Sequence, residues 1–203
     1  MRMLIIRHPE TEANVCNLIY GRTESAYTPK GLADMDWVLN TLADRSVDTV
    51  YTSPMQRTAR LALALSAQNR CPISESPALL EMHFGIFENM TRDQAKARFP
   101  DYFEQYMADY SRYRILDGES FEDVRVRFSA FISPLLETEG TIVLVTHGMV
   151  MKAAISVLLD LTADAVWHFS TVPATLLEID YRSGYGVLVS LSSPPAAAAE
   201  AIL

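Results

Sequence analysis

Cysteine, long apolar segments and positive charge are all scarce in this chain. Its 203 residues contain only two cysteines, Cys16 and Cys71, which are too few for a disulfide framework or a cysteine-based metal cluster. The short segment of residues 1–6 (MRMLII) is followed at once by Arg7 and His8, so it is too short for a signal peptide or a membrane-spanning helix. These absences predict a cytoplasmic protein without a membrane partner.

The charge balance narrows the choice of partners. The formal net charge is -8 at pH 7, which argues against general binding to nucleic acids, although a local basic pocket is compatible with it. We therefore expect a small-molecule ligand and no nucleic-acid partner, and a homodimer remains open. Apolar residues make up 49% of the chain, enough for one globular domain with a sizeable core.

Two apolar runs in this chain stop abruptly at a histidine. Residues 4–8 read Leu-Ile-Ile-Arg-His, and residues 142–148 read Ile-Val-Leu-Val-Thr-His-Gly. Such runs are typical of buried strands, and ligands of open α/β sheets bind just beyond the carboxyl ends of these strands. We expect His8 and His147 to face one ligand.

Strands and helices alternate over most of the sequence. Thr28-Pro29 begins a helix with apolar positions up to Leu42, and Ser53 begins another, with Gln56 as its capping-box partner and Arg57 in its first turns. A helix from Ser120 should kink or end at Pro134. The remaining predicted elements are strands at 48–52, 141–146, 175–179 and 187–191 and a helix at 149–159. This order predicts an α/β fold, a three-layer α/β/α sandwich around a mainly parallel sheet.

The regular alternation breaks between Glu81 and Gly118. We expect residues 82–118 to form a small helical cap inserted into a single domain of residues 1–192, followed by a low-complexity tail at 193–203. Four tyrosines of the cap are predicted to share one helix face, and they either stack on an aromatic substrate or form cap core: Tyr102, Tyr106, Tyr110 and Tyr113.

The residues around the two strand ends suit phosphoryl chemistry. Histidine is able to act as a covalent nucleophile, and the arginine guanidinium matches phosphate oxygens in a bidentate manner. His8 would be the nucleophile within a cationic cage of Arg7, Arg57 and His147. The helix that begins at Gly148 would add backbone N–H groups aimed at the same anion.

A leaving oxygen also needs a proton. Glu81, at the entrance to the cap, is the candidate donor; burial would raise its pKa, neighbouring arginines would lower it, and its protonation state stays open. Arg22 either reaches a substrate phosphate or is a solvated loop charge. Because His8 and His147 lie far apart and no HExxH or CxxC pattern accompanies them, no metal site is predicted.

In their order along the chain, these motifs resemble the histidine phosphatase superfamily, also called phosphoglycerate mutase-like. The resemblance spans residues 1 to about 190 and rests on residues 7–14 (RHPETEAN), 20–22 (YGR), 28–31 (TPKG), 52–59 (TSPMQRTA), Glu81 and 146–148 (THG). One departure is Pro9, where the family usually has glycine.

The resemblance implies a role for each matched residue. His8 becomes phosphorylated, Arg7, Arg57 and His147 hold the phosphoryl group, and Glu81 donates the proton, without metal or organic cofactor. Asn14 matches a position that contacts phosphate or substrate, and Gly21 lies in the neighbouring loop.

The cap narrows the resemblance within the superfamily. Residues 81–88, 117–121 and 166–169 look like those of the small phosphatase branch, and in particular of α-ribazole-5′-phosphate phosphatases. The expected activity is therefore phosphomonoester hydrolysis through a phosphohistidine. Phosphoglycerate mutase-type phosphotransfer and an inactive phosphate-binding module are the alternatives.

Overall fold

Helices and strands alternate along residues 1–195, the part of the chain that this computed structural model describes. The strands are β1 (Arg2–Arg7), β2 (Leu18–Ile19), β3 (Thr49–Thr52), β4 (Ile73–Glu75), β5 (Met90–Thr91), β6 (Thr141–Thr146), β7 (Leu176–Arg182) and β8 (Tyr185–Ser192). The helices are α1 (Glu12–Val15), α2 (Pro29–Thr41), α3 (Gln56–Asn69), α4 (Arg92–Arg98), α5 (Pro100–Ala108), α6 (Phe121–Ile132) and α7 (Gly148–Leu158). Short 3₁₀ turns lie at Pro77–Leu79, Gly85–Phe87, Ser133–Leu135 and Ala165–His168.

Six strands form the main sheet in the order β4-β3-β6-β1-β7-β8. The pairs β4–β3, β3–β6 and β6–β1 are parallel, whereas β1–β7 and β7–β8 are antiparallel. The central strands β1 and β6 are almost fully buried, which explains why both read as continuous apolar runs. Strands β7 and β8 begin near the predicted positions, and both extend further.

Helices cover both faces of this sheet. One face packs Ile5 and Leu144 against α6, α7 and the cap, and the other packs Leu4 and Val145 against α2 and α3. Alternate residues of each central strand thus face opposite helical layers, as the period of two requires. The predicted three-layer α/β/α sandwich around a mainly parallel sheet is confirmed.

Two predicted helix boundaries agree with local capping chemistry. The Thr28 hydroxyl accepts a hydrogen bond from the Gly31 amide at the start of α2, and Ser120 and Asp123 form a capping box at the start of α6. Helix α6 ends at Ile132, just before Pro134, and continues only as a 3₁₀ turn, because proline has no N–H to donate.

The predicted start of α3 is wrong. The helix begins at Gln56, and its N-cap residue is Met55, which makes no side-chain cap. Ser53 lies three residues earlier; its hydroxyl contacts the His147 ring at 2.9 Å and accepts from the Met55 amide at 3.4 Å. The hydroxyl that the local sequence pattern assigned to helix capping thus contacts a residue far along the chain.

We propose to treat residues 82–118 as the cap of a single domain that ends near residue 192. The cap contains α4, α5 and β5, and β5 pairs with β2, which lies outside the cap in the sequence. The predicted tyrosine face holds only in part, because α5 ends at Ala108, before Tyr110 and Tyr113. Of the predicted low-complexity tail, residues 196–203 lie outside the described residues.

Candidate active site

The sheet register brings the two strand-ending histidines together. Arg7 pairs with Thr146 in the parallel β1–β6 ladder, so His8 and His147 are the next residues beyond the same sheet edge. Their ring centroids lie 5.3 Å apart. Both side chains are buried, with 2% and 0% of the residue exposed.

The surroundings of His8 fix its tautomer. Its Nδ1 lies 2.8 Å from the backbone carbonyl of Pro9, and because a carbonyl only accepts, Nδ1 must carry the proton. The lone pair therefore lies on Nε2. The loop uses the carbonyl of Pro9, which proline retains, and the peptide bonds of the described residues are all trans.

The same surroundings keep His8 uncharged. Burial lowers its pKa well below the usual value, and the positive charges of Arg7 and Arg57 lower it further. A neutral imidazole with a free Nε2 lone pair is the form that is able to attack an electrophile. This form therefore predominates at neutral pH.

Arg57, in the first turn of α3, connects several parts of the site. Its Nε donates to His147 Nδ1 at 3.3 Å, and its terminal nitrogens donate to the carbonyls of Gly21 and Thr23, both at 2.7 Å. His147 Nε2 lies 2.9 Å from the Ser53 hydroxyl. Because Arg57 only donates, His147 Nδ1 is an acceptor, and Nε2 donates to Ser53. Both ring nitrogens of His147 are thus engaged.

Arg7 presents an unsatisfied group to the site. Its Nη1 donates to the Thr171 carbonyl at 2.6 Å, and its buried Nε has no hydrogen-bond partner within residues 1–195. The guanidinium lies against Gly148: a Cβ added at that residue would be 3.5 Å from it, an ordinary van der Waals distance. A buried donor without a partner next to a helix start is suited to an arriving anion.

Glu81 lies between the cap entrance and α7. Its Oε1 accepts from the backbone amides of Met82 and Met149, at 2.9 and 3.1 Å. Burial raises its pKa above the usual value, whereas these hydrogen bonds and the charges of Arg7 and Arg57 oppose that rise. The net direction is upward, and this favours a protonated carboxyl able to donate.

Asn14 is held with its amide nitrogen free to donate. Its Oδ1 faces the amide and hydroxyl of Thr11 and the hydroxyl of Tyr20, each at 3.0 Å. The Thr11 amide can only donate, so the atom that faces it must be the amide oxygen. The Nδ2 donors are then directed away from this cluster, and Asn14 lines the central cavity.

A cavity of about 640 Å³ opens beside these groups. Five of the predicted site residues line it: Arg7, His8, Asn14, Glu81 and Gly148. Arg57 and His147 do not line it but contact the lining residues Tyr20 and His8, Arg57 with its guanidinium 4.9 Å from the Tyr20 ring. The cavity lining thus combines cationic and hydrogen-bonding groups with apolar side chains.

Two of the expected substrate-binding residues lie outside this cavity wall. Arg22 does not line the cavity, and its guanidinium pairs with Glu119 at 3.3 Å. Gly21 donates its amide to the Glu88 carboxylate at 3.0 Å, and its carbonyl receives Arg57. Both residues belong to the support of the site.

Sequence reasoning missed several groups that hold this support together. The Glu88 carboxylate accepts from the amides of Gly21, Arg22 and Phe84 and from the Thr23 hydroxyl. Nothing in the local sequence distinguishes this glutamate from the other charges of the cap. Ser53 was singled out in the sequence, but it was interpreted as a helix cap and not as a contact of His147.

A side chain at Gly21 should damage the fold. A Cβ there would lie 1.9 Å from the Met82 carbonyl oxygen, so we expect Gly21→Ala to lower the free energy of unfolding by about 1–3 kcal/mol. Urea unfolding measures this change. Gly148→Ala is the matched control, because its Cβ would meet Arg7 only at an ordinary 3.5 Å. Equal stability of both variants would contradict the close approach at Gly21.

Comparison with known proteins gives the family. A model of the histidine phosphatase superfamily (branch 1) matches residues 3–194. The chain belongs to this superfamily. Like its phosphatase relatives, this histidine phosphatase hydrolyses a phosphomonoester of a small metabolite. Within residues 1–195, no helix is both long and apolar enough to cross a membrane.

Three relatives show what this histidine phosphatase is similar to. An adenosylcobalamin/alpha-ribazole phosphatase of Escherichia coli (strain K12) is 27% identical over 195 residues, which cover 95% of this chain and 96% of the relative. Phosphoserine phosphatase 1 of Hydrogenobacter thermophilus is 21% identical, with 95% and 92% covered. The crystal structure of the alpha-ribazole phosphatase from Shigella flexneri superposes with a TM-score of 0.88 at 28% identity, with 95% and 96% covered.

Proposed function

We propose that this enzyme hydrolyses its phosphomonoester through a phosphohistidine formed on His8 Nε2. The observation that carries this proposal is the tautomer of His8, because the Pro9 carbonyl leaves the lone pair on Nε2. His8, Arg7 and Glu81 line the same cavity. A nucleophile, a cation and a proton donor thus share one space.

The first step transfers the phosphoryl group to the enzyme. The Nε2 lone pair forms a bond to phosphorus while the bond from phosphorus to the ester oxygen breaks. Glu81 gives its proton to that oxygen, so the alcohol leaves neutral and Glu81 becomes a carboxylate. Burial raises the pKa of Glu81, and this direction supports the role because it favours the protonated form that is able to donate.

The second step returns the enzyme to its starting state. A water oxygen attacks phosphorus, Glu81 accepts one proton from that water, and the electrons of the P–N bond return to His8 Nε2. The products are inorganic phosphate and a reprotonated Glu81. Both steps use the same carboxyl group, first as acid and then as base.

The charge of the transferring group needs fixed donors. We assign this task to the Arg7 guanidinium, whose Nε has no partner within residues 1–195, the Asn14 amide and the backbone amide of Gly148 at the start of α7; all three residues line the cavity. Donors that are already oriented stabilise a transition state without reorganisation. Arg57 adds positive charge from its position over the Tyr20 ring. His147, which also hydrogen-bonds Ser53, holds Arg57 in place.

The apolar part of the cavity wall indicates the substrate class. Its aromatic and aliphatic side chains are Leu18, Ile19, Phe84, Phe87, Phe103, Tyr106, Met149 and Trp167, and the same lining also carries the polar residues Asn17, Thr91, Arg92 and Asp93. A volume of about 640 Å³ lies in the range that accommodates ligands of the size of a nucleoside. We propose α-ribazole 5′-phosphate, whose dimethylbenzimidazole would contact this wall.

The cellular setting is part of the same proposal. We infer an enzyme that works in the cytoplasm on a small molecule, with neither a nucleic-acid nor a membrane partner. The net charge of -8 supports this inference. A homodimer stays an open alternative.

A substrate panel tests the proposed specificity. With a chelator present, we expect kcat/KM for α-ribazole 5′-phosphate to exceed that for phosphoserine and for 3-phosphoglycerate by at least about tenfold, since specificity is differential transition-state binding. Phosphate and 2-phosphoglycerate are measured in parallel. A higher kcat/KM for phosphoserine would contradict the substrate, and isomerisation faster than phosphate release would indicate a mutase.

A further inference from the structure

Lys152 is a buried cation on the cavity wall that the proposed mechanism does not use. It lies in α7 and is only 6% exposed. Its Nζ donates to the carbonyls of Val166, at 3.1 Å, and Phe169. The Trp167 ring centroid lies 5.0 Å from Nζ.

The charge of Lys152 has no acidic partner within residues 1–195, where the ion pairs involve other groups. A buried ammonium that meets only dipoles and a ring face is costly to keep. Burial and the neighbouring charge of Arg7 lower its pKa to about 8. An arriving oxygen acceptor would offset part of this cost.

The donors of Lys152 are only partly used. An ammonium group has three N–H donors, and the two carbonyls account for two of them within the described residues. Lys152 and Arg7 line the same cavity, and Arg7 is close enough to disfavour the Lys152 charge. The third N–H is thus available next to the phosphate-binding end.

We propose that Lys152 is a specificity-determining residue whose third N–H binds an oxygen of the alcohol part of the substrate, next to the ester. The inference rests on the proposed function, since it takes the phosphate to lie against Arg7 and His8. It assigns a preference for phosphate esters whose alcohol carries a ring oxygen or hydroxyl near the ester carbon, as a furanose 5-phosphate does. Trp167 and the two carbonyls orient the ammonium for this contact.

A purely structural role makes a different prediction. Lys152 holds the turn at 165–169, and Thr171, just beyond this turn, accepts the hydrogen bond of Arg7. If Lys152 served only to keep this segment in place, its loss would misplace Arg7 and slow every substrate alike. Substrate dependence therefore separates recognition from support.

The test compares two esters of similar ring size. Methyl ribofuranoside 5-phosphate carries ring and hydroxyl oxygens, and cyclopentylmethyl phosphate carries none. We expect Lys152→Met to lower kcat/KM for the riboside by about 10–100-fold, the usual range for a hydrogen bond to a charged group, and to change that for the cyclopentyl ester by less than about threefold. Lys96→Met, at an exposed position of α4, is the matched control.

Each outcome decides the question. Equal losses for both esters, or no loss for either, would overturn recognition by Lys152. Lys152→Gln keeps a shorter donor for the carbonyls, and it serves if the methionine variant does not fold; the same substrate dependence is expected. If the wild-type enzyme hydrolyses neither these esters nor α-ribazole 5′-phosphate, the proposed function fails, which is a result distinct from a failure at Lys152.

Discussion

Replacing His8 by asparagine is expected to lower kcat by a factor on the order of 10⁴ or more, as loss of a covalent nucleophile does in other hydrolases. The reason is that the first step needs the Nε2 lone pair, which asparagine lacks. The remaining donors of Arg7 and Gly148 still bind the phosphate, so KM should change far less than kcat. Steady-state kinetics on an aryl phosphate measures both.

Two controls make this result specific to the nucleophile. His168→Asn removes an exposed imidazole outside the cavity wall, and its activity should equal that of the wild type. Thermal unfolding of His8→Asn confirms that the variant is folded. A folded His8→Asn protein with near-normal kcat would exclude the phosphohistidine route.

Replacing Glu81 by glutamine should have the second largest effect. We expect kcat for an alkyl phosphate to fall by about 10²–10⁴-fold, the usual contribution of general acid catalysis. With p-nitrophenyl phosphate the leaving oxygen needs little proton assistance, so the first step should stay fast while attack by water slows. A burst of p-nitrophenol followed by slow turnover is the expected stopped-flow trace.

The pH profile gives an independent check on Glu81. Its pKa is raised by burial, and the protonated form is the donor, so kcat/KM for an alkyl phosphate should fall as pH rises through that raised pKa. This alkaline limb should be absent in Glu81→Gln. Equal loss of activity for alkyl and aryl esters, with no burst, would place the proton donor elsewhere.

The sequence predicted the centre of the site because its signals are local. An apolar run that stops at a histidine fixes both the strand and the end at which the side chain emerges, and the parallel register then brings His8 and His147 together. Arg57 has a local signal too, since it lies at the start of the helix that follows β3. The three-layer fold followed from the alternation of the same elements.

The supporting contacts were not predictable, because they join residues distant in the chain. Ser53 is read as a helix cap from its neighbours, and only the fold shows that it contacts His147. The ion pair between Arg22 and Glu119 likewise joins residues that are far apart in the chain. Lys152 did have a local signal, since it is the only charged residue in the apolar helix α7, although a lone lysine does not indicate what it binds.

Direct trapping of the phosphoenzyme tests the central claim. Glu81→Gln protein is mixed with a ³²P-labelled aryl phosphate, quenched within the burst into alkaline denaturant, in which phosphohistidine survives, and digested for peptide mapping. We predict near-stoichiometric label on the peptide that contains His8, and none in the double variant with His8→Asn. A burst of the aryl alcohol with label on another residue, or with no label on the protein, would contradict the mechanism.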